Sequence, residues 1–182
     1  MYKVKTSYSD SVNKKKLREF LINKFEFESV TGLAGPDINE YIQYLKSKGC
    51  KKFEIYENNP SIIVKQLSEL NTPADISLKY GDILSADNSE PNTLYDLDFC
   101  STIKNMKEYI KKFKNNFIMT FSMRFSMENT IKTFFSARDE EIISITEIFS
   151  PFHHNIFKTD RSEYLFATYR DSSTMCCFAK IN

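Results

Sequence analysis

Two aspartates separated by one residue stand at the end of an apolar stretch, in the segment YDLDFC over 95–100. On a β-strand, residues two apart project to the same face, so Asp96 and Asp98 would present two carboxylates together. Such a pair is costly in apolar surroundings unless it is bonded or used in chemistry. It could orient or deprotonate a substrate, with Phe99 stacking beside it, or it could cap a helix that begins near Ser101.

A second candidate is the run of small residues TGLAG over 31–35, which follows an apolar segment and precedes a helix-like one. Where a strand turns into a helix beside a ligand, the backbone must come close to that ligand, and glycine lacks the Cβ that would block it. Gly32 and Gly35 therefore mark a candidate cofactor turn. The same residues would also suit an ordinary turn at the start of a helix.

The other reactive side chains give no metal-binding or redox pattern. His153 and His154 are adjacent, so on a regular element they point in different directions, which favours packing or a surface loop over a shared metal. The cysteines form no CxxC pair, and we expect reduced, mostly buried thiols. They are Cys50, Cys100, Cys176 and Cys177.

Composition bounds the protein that must position these groups. With 182 residues, 41% of them apolar, the chain can bury one good core, so we expect a single domain. The net charge of +1 gives no overall field that would mark a nucleic-acid coat or a membrane-surface protein. No apolar run approaches the ~20 residues of a membrane span, and the N-terminus lacks a signal-peptide core, so we expect a soluble, cytoplasmic protein without a membrane partner.

Hydrophobic periodicity alternates between strand and helix along the chain. A charged amphipathic segment over 11–24 precedes predicted strands over 25–33, 51–59, 75–84, 92–100 and 116–124, and predicted helices over 36–49, 60–70 and 103–115. Strands separated by helices indicate right-handed crossovers and a parallel sheet covered on both faces. A helical or partly irregular stretch over 127–149 leads to two strands joined by RDSS, which predict a terminal antiparallel hairpin, and 85–93 is predicted to be a long flexible loop.

The predicted helix over 103–115 has a basic stripe opposite its apolar side chains. The stripe, with spacings of three and four residues, consists of Lys104, Lys107, Lys111 and Lys114. A solvated helix face is the ordinary explanation, and contact with a nucleic-acid backbone is the alternative.

In the order and placement of these elements, residues 26–182 resemble the class I S-adenosylmethionine-dependent methyltransferases, whose sheet ends in such an antiparallel hairpin. The resemblance implies an α/β fold: a single Rossmann-like domain over 26–182, with a mostly parallel sheet flanked by helices and a C-terminal antiparallel hairpin. It also implies S-adenosylmethionine as the cofactor. Residues 1–25 would form an N-terminal helical segment or lid, and the loop over 85–93 is a second candidate for a lid.

The resemblance further implies which residues bind the cofactor. The family has a glycine-rich turn after its first strand, a ribose-binding acid after the second, and an adenine-binding acid with a neighbouring apolar residue after the third. The corresponding positions are Thr31, Gly32, Ala34 and Gly35 at the turn, Glu57 and Asn58 after the second strand, and Asp82 and Ile83 after the third. The sequence departs from the family pattern because Thr31 stands where an acid is usual and only two glycines are present.

The fourth strand carries the substrate side in this family. Nucleic-acid amino-methyltransferases have an Asp/Asn-Pro-Pro-aromatic motif there, and residues 96–99 keep the acid and the aromatic without the prolines. The implied catalytic set is Asp98 in contact with acceptor or cofactor, Asp96 in support and Phe99 for stacking. Cys100 as the nucleophile of base C5 methylation is disfavoured, because the Pro-Cys pair of those enzymes is missing.

Three classes of function stay open from the sequence. The first is methyl transfer from S-adenosylmethionine, with nucleic acid, DNA or RNA, a slightly favoured acceptor. A nicotinamide-dependent oxidoreductase is disfavoured, because GLAG is not the Gly-x-Gly-x-x-Gly pattern. The third is a non-catalytic, methyltransferase-like binding or partner module.

Overall fold

A computed structural model describes residues 12–35, 37–70, 75–149, 152–170 and 174–181. Within these ranges one sheet contains nine strands: β1 (Ser29–Gly32), β2 (Lys52–Glu57), β3 (Ile76–Tyr80), β4 (Thr93–Thr102), β5 (Phe117–Ser122), β6 (Ser144–Ile148), β7 (His154–Lys158), β8 (Glu163–Arg170) and β9 (Thr174–Lys180). The α-helices are α1 (Val12–Ile22), α2 (Ile38–Ser47), α3 (Pro60–Glu69), α4 (Lys107–Lys112) and α5 (Met127–Arg138).

The first half of the sheet is parallel, in the order β3-β2-β1-β4-β5. The chain moves outward from β1 through β2 to β3 and then returns to the other side of β1 as β4. The strand order therefore reverses between β1 and β4, and in open α/β sheets ligands bind outside the carboxyl ends of the strands at such a point. The predicted Rossmann-like sheet, with helices on both faces, is confirmed.

The antiparallel half has more strands than the sequence predicted. The predicted hairpin of β8 and β9 is present and β9 pairs with β5, but β7 and β6 continue the sheet beyond β8. The prediction of a helical or partly irregular stretch over 127–149 holds for α5 and the irregular residues 139–143, and it is wrong over β6. The apolar spacing of Ile142, Ile145 and Phe149 imitates a helix, whereas β6 is an edge strand whose side chains are largely exposed, with Ile145 59% accessible.

Smaller differences concern the ends of elements near the carboxyl edge of the sheet. The strand predicted over 75–84 ends at Tyr80 and is followed by a 3-10 helix, Ile83–Ser85. The helix predicted over 103–115 divides into a 3-10 turn, Ile103–Met106, and the short α4. The loop predicted to be flexible is attached to the fold, because Asn88 Nδ2 donates to the carbonyl oxygen of Lys112 at 2.6 Å.

Apolar layers cover both faces of the sheet. On one face α1 and α2 pack on the strands through side chains that are fully buried: Leu17, Leu21, Ile38 and Leu45. On the other face the fully buried side chains are Ile110 of α4, Phe113 just after α4, and Phe134 of α5. None of the helices in the described ranges is long and apolar enough to cross a membrane.

Candidate functional site

A cavity of about 470 Å³ opens at the carboxyl ends of β1, β2, β3 and β4. Its volume lies in the range of small-molecule sites, roughly 300–1,000 Å³. It coincides with the point where the strand order reverses. The wall is formed by Arg18, Leu33, Ala34, Gly35, Glu57, Asn58, Asn59, Ile62, Gly81, Asp82, Ile83, Asp98, Phe99, Ser101, Met106 and Tyr109.

The fold brings most of the predicted site residues together in this wall. Those that line the cavity are Ala34, Gly35, Glu57, Asn58, Asp82, Ile83, Asp98 and Phe99. They come from four separate strand ends, so only the parallel topology could assemble them. Three predicted residues, Thr31, Gly32 and Asp96, are buried and lie outside the wall.

Asp96 lies beneath the cavity in a fully buried polar cluster. One of its carboxylate oxygens accepts from the Arg18 guanidinium, and the other accepts from Tyr41 Oη at 2.9 Å. Burial raises the pKa of Asp96 and outweighs the opposing effect of Arg18 and Tyr41. The same cluster explains Gly32, since a Cβ there would lie 2.8 Å from the carbonyl oxygen of Asp96 and 2.9 Å from Tyr41 Oη. The structure thus ties Gly32 to packing between β1, β4 and α2, where the sequence suggested close approach to a ligand.

The second glycine of the turn after β1, Gly35, is explained by its backbone conformation. Gly35 has φ of 65°, in the left-handed region that glycine adopts without steric cost. Its carbonyl oxygen accepts a hydrogen bond of 2.5 Å from Gln66 Nε2 on α3, which fixes the turn against the next helix.

Glu57 ends β2 with one carboxylate oxygen in use and one without a partner. Glu57 Oε1 accepts from the backbone N–H of Asn59 at 2.8 Å, and no described residue donates to Oε2. Asn59 in turn caps α3, because its Oδ1 accepts from the N–H of Ser61 at 3.0 Å. The carboxylate is therefore oriented at the cavity wall with acceptor capacity left.

Asp82 follows β3 and is held by two bonds. Its Oδ1 accepts from the N–H of Leu84 at 2.8 Å, and its Oδ2 accepts from Tyr109 Oη at 2.6 Å. Burial and this bond to Asp82 raise the pKa of Tyr109 to about 12. The Tyr109 ring also packs on Phe99, with 4.6 Å between ring centroids, so α4 closes this side of the cavity.

Asp98 lines the cavity and forms an ion pair with Lys14 of α1. Burial alone would raise the pKa of Asp98, but Lys14 and then Arg18 outweigh it and hold the pKa below its ordinary value. The alternative that Asp98 caps a following helix is not seen, since the N-cap of the 3-10 turn is Thr102 and its side chain makes no cap bond. The geometry therefore presents a charged carboxylate, which accepts hydrogen bonds well but is a weak base.

Arg18 is the residue of the wall that sequence reasoning missed most clearly. It is 2% exposed, it contacts Asp96 and Thr120, and its Nε is buried without a hydrogen-bond partner in the described structure. Burial alone would lower the pKa of Arg18, but the charges of Asp96 and Asp98 raise it by more than burial lowers it. The guanidinium therefore stays charged. The available signal was a basic pair, Lys14 and Arg18, spaced by four among apolar positions of α1.

The histidines and three of the cysteines, Cys50, Cys176 and Cys177, lie outside this site. His154 is buried with its Nδ1 2.7 Å from the carbonyl oxygen of Phe152, whereas His153 is exposed, so the two point apart as predicted. Cys50, Cys176 and Cys177 are buried free thiols. Across the part of the chain that the structure describes, no three potential metal ligands come together.

The sheet order, the C-terminal antiparallel strands and the cavity at the switch point define a Rossmann-like protein with the fold of the class I S-adenosylmethionine-dependent methyltransferases. The structure is similar to the N-methyltransferase NodS from Bradyrhizobium japonicum WM9, with a TM-score of 0.53 and 12% identity over 91% of this chain and 93% of that one. It is also similar to a SAM-dependent O-methyltransferase from Thermotoga maritima, with a TM-score of 0.51 and 10% identity over 92% and 64% of the two chains.

A third similar structure is the tRNA methyltransferase TrmI from Aquifex aeolicus, with a TM-score of 0.50 and 10% identity over 100% of this chain and 73% of that one. No protein-family model and no curated protein matches the sequence. Identities this low show the fold, and they leave the activity to be argued from the site.

Proposed function

We propose that this protein binds S-adenosylmethionine in the 470 Å³ cavity and transfers its methyl group to an acceptor. The observation that carries the proposal is Glu57, whose carboxylate is fixed at the end of β2 and has one oxygen at the cavity wall to which none of the described residues donates. A pair of ribose hydroxyls is the kind of donor that such an oxygen accepts. The names of the similar structures, which include SAM-dependent enzymes, support the same ligand.

The rest of the wall fits the other parts of this ligand. Ile62 and Ile83 offer an apolar surface to an adenine ring, and Asp82 lies beside Ile83 at the same strand end. Arg18 belongs to the wall and its Nε has no acceptor among the described residues, so the guanidinium suits the carboxylate at the amino acid end of the ligand. The Gly35 turn completes the wall, since it brings backbone to the cavity without a Cβ.

When bound, S-adenosylmethionine supplies a methyl group already activated on a positively charged sulfur. The chain then has to bind, orient and exclude water, because positioning dominates an in-line displacement of this kind. We assign acceptor orientation to Asp98, with Phe99 packing beside it and Asp96 fixing Arg18 below. The lowered pKa of Asp98 favours hydrogen bonding to the acceptor over removal of its proton.

Nucleic acid is the acceptor class that we favour. Lys104 and Lys107 are exposed and flank Met106, which belongs to the cavity wall, so a polyanion near the opening would meet positive charge. One similar structure is named as a tRNA methyltransferase, whereas others carry only N- or O-methyltransferase names.

Titration calorimetry with S-adenosylmethionine tests the ligand assignment. Glu57→Gln removes the charged acceptor and should weaken binding by ~1.5–3 kcal/mol, roughly 10–150-fold, because hydrogen bonds to a charged group are worth about that much. Glu128→Gln makes the same chemical change at an exposed position on α5 and should bind like the parent protein. Equal affinities for both variants would remove Glu57 from the site.

A non-catalytic partner module is the second candidate, and the Lys14–Asp98 ion pair favours it. Lys14 occupies the carboxylate that we assign to the acceptor, and Thr31 replaces the acid of the usual glycine motif. Methyl transfer from radiolabelled donor to mixed DNA, RNA and protein acceptors separates the two. Donor binding without transfer to any acceptor would favour the module.

A further inference from the structure

A second cavity, of about 480 Å³, lies at the opposite edge of the sheet, where β5 begins and β9 ends. It is formed by the end of α4, the end of α5, the turn before β8 and the last residue of β9. The cavity contains five basic residues, Lys111, Lys114, Arg138, Arg161 and Lys180, and two acidic ones, Asp139 and Glu140. None of them belongs to the proposed methyl-transfer site.

Arg138 is the fixed centre of this cavity. Its side chain is 4% exposed, its Nε donates to Glu140 Oε1 at 3.0 Å, and its Nη1 donates to the carbonyl oxygens of Ile110 and Phe113 at 3.0 and 3.1 Å. Its Cζ lies 5.1 Å from the ring centroids of Phe117 and Tyr164. Nη2 donates to no described residue, so a buried and immobilised guanidinium keeps unused N–H donors at the cavity wall.

The acidic residues do not neutralise the cavity. Glu140 is already fully engaged, since its carboxylate accepts from Arg138, from Tyr164 Oη at 2.7 Å and from Thr159 Oγ1 at 3.0 Å, so it mainly offsets Arg138. Among the described residues of the wall, Asp139 is then the one carboxylate to set against four further cations. Burial lowers the pKa of Lys180 and the neighbouring charge of Arg138 lowers it further, while Glu140 opposes both effects without reversing them.

Two of the cations have partners outside the cavity, but those pairs are weak. Lys111 lies 3.7 Å from Glu108, and Arg161 lies 3.5 Å from Asp160, with both side chains of each pair more than half exposed. Such surface pairs contribute little and are easily exchanged for another anion.

The basic stripe of the sequence connects this cavity with the first one. Lys104, Lys107, Lys111 and Lys114 are all exposed. Met106 and Tyr109 line the first cavity, whereas Lys111 and Lys114 line the second. The six residues of α4 span ~9 Å at a rise of 1.5 Å per helical residue, so the helix that separates the two cavities is short enough for a few nucleotides to follow.

We propose that the Arg138 cavity binds a phosphate group of a nucleic-acid strand whose adjoining nucleotides follow the lysine stripe toward the first cavity. Arg138 supplies the fixed donors, and Lys114, Arg161 and Lys180 surround the anion. Strand binding does not depend on methyl transfer, and only the idea that the bound strand is the methyl acceptor rests on the proposed function.

Fluorescence anisotropy with a labelled single-stranded RNA, measured over a series of salt concentrations, tests the site. Lys114→Gln/Lys180→Gln should weaken binding more than ~10-fold at low salt and reduce the slope against log salt concentration by about 0.7 for each lysine–phosphate pair that is removed. Lys52→Gln/Lys132→Gln makes the same charge change at exposed lysines elsewhere and should stay within ~2-fold of the parent protein. Equal losses of RNA affinity in both double variants would overturn the proposal, because they would mean that RNA responds to the overall positive charge and not to this cavity.

Two further arms keep the result decisive. Lys114→Gln/Arg161→Gln changes only exposed side chains, so it gives the same answer if the Lys180 variant does not fold. Inorganic phosphate should displace the RNA from the parent protein, and phosphate binding without any RNA binding would overturn the nucleic-acid source. Donor affinity is measured on the same samples: RNA binding without donor binding defeats the proposed function alone, and donor binding without RNA binding defeats this site alone.

Discussion

At the scale of single residues, Asp98 is paired with Lys14 and also lies where a bound ligand would contact it. Its ion pair with Lys14 holds it charged, and its position in the cavity wall exposes it to a ligand. A carboxylate with a lowered pKa can orient an acceptor through hydrogen bonds but gains little by taking its proton. The contribution of Asp98 to catalysis should therefore come from positioning.

Asp98→Asn tests this assignment because it keeps the shape and removes the charge. We expect donor affinity to stay near that of the parent protein while methyl transfer falls by ~10²-fold, because an acceptor misplaced by about 1 Å loses about that much. Calorimetry and a radiolabelled-methyl assay on the same preparation measure the two quantities. If donor affinity and methyl transfer fall together, Asp98 belongs to donor binding instead.

Gly32 shows how a residue can be identified correctly and explained differently. The glycine-rich turn was visible in the sequence, and a ligand was the obvious reason for glycine there. The reason in the structure is the approach of Asp96 and Tyr41, which lie 64 and 9 positions further along the chain and are brought together only by the fold. Local sequence carries no information about such long-range contacts, so the residue type was predictable and its cause was not.

At the scale of elements, α1 is the part whose docking the sequence could not predict. The helix was expected from its periodicity, but its ion pairs with β4 join residues 84 and 78 positions apart. Leu17 and Leu21 anchor the helix in the core by full burial, while Lys14 and Arg18 hold it to Asp98 and Asp96 of β4. The lid role predicted for residues 1–25 stays a prediction, and residues 1–11 lie outside the described ranges.

The docking of α1 should depend on pH through the Lys14–Asp98 pair. The pKa of Asp98 in the folded protein is below its ordinary value of 3.8, so the pair stabilises the fold above that value and the stabilisation is lost as pH falls through the folded pKa. At neutral pH, Lys14→Met leaves a partly buried carboxylate without its cation and should cost ~1–3 kcal/mol in the free energy of unfolding.

Urea unfolding over a pH series checks this expectation. The difference in stability between the parent protein and Lys14→Met should shrink as pH falls below 3.8, because protonated Asp98 no longer needs a cation. Lys16→Met, at an exposed position of the same helix, should show no such pH dependence. If the difference in unfolding free energy between the parent protein and Lys14→Met does not change with pH, Lys14 stabilises the fold by packing and not through its charge.

Among the strands, those flanked by helices were the predictable ones. The apolar sequences of β1, β2, β4 and β5 predict strands. The placement of the acids after β2 and β3 could be predicted from where such strands end. Strand β6 was missed because an edge strand with exposed side chains lacks the alternation of apolar and polar residues that marks a half-buried strand. Its signal was composition instead, since Ile145, Thr146 and Ile148 are β-branched.

At the scale of the whole molecule, the two cavities occupy opposite edges of one sheet. The first is enclosed by strand ends that hold carboxylates, and the second by basic side chains around Arg138. The segment containing α4 contributes to both, through Tyr109 at one and Lys114 at the other. Ligands at the two cavities should therefore protect separate parts of the backbone and share only this helix.

Hydrogen exchange with each ligand in turn tests that separation. Turns exchange by local opening, so a bound ligand slows exchange mainly where it touches the backbone. S-adenosylmethionine should slow exchange in the turns over 33–35, 57–59 and 81–83, and single-stranded RNA should slow it over 104–115, along the lysine stripe, and over 161–162. In the sheet order, β6 lies five strands from β4 and serves as the internal control for the donor, whereas β3 lies four strands from β5 and serves as the control for RNA. Protection of 161–162 by the donor alone would contradict two independent sites, since it would mean that the donor binds the Arg138 cavity or tightens the whole sheet.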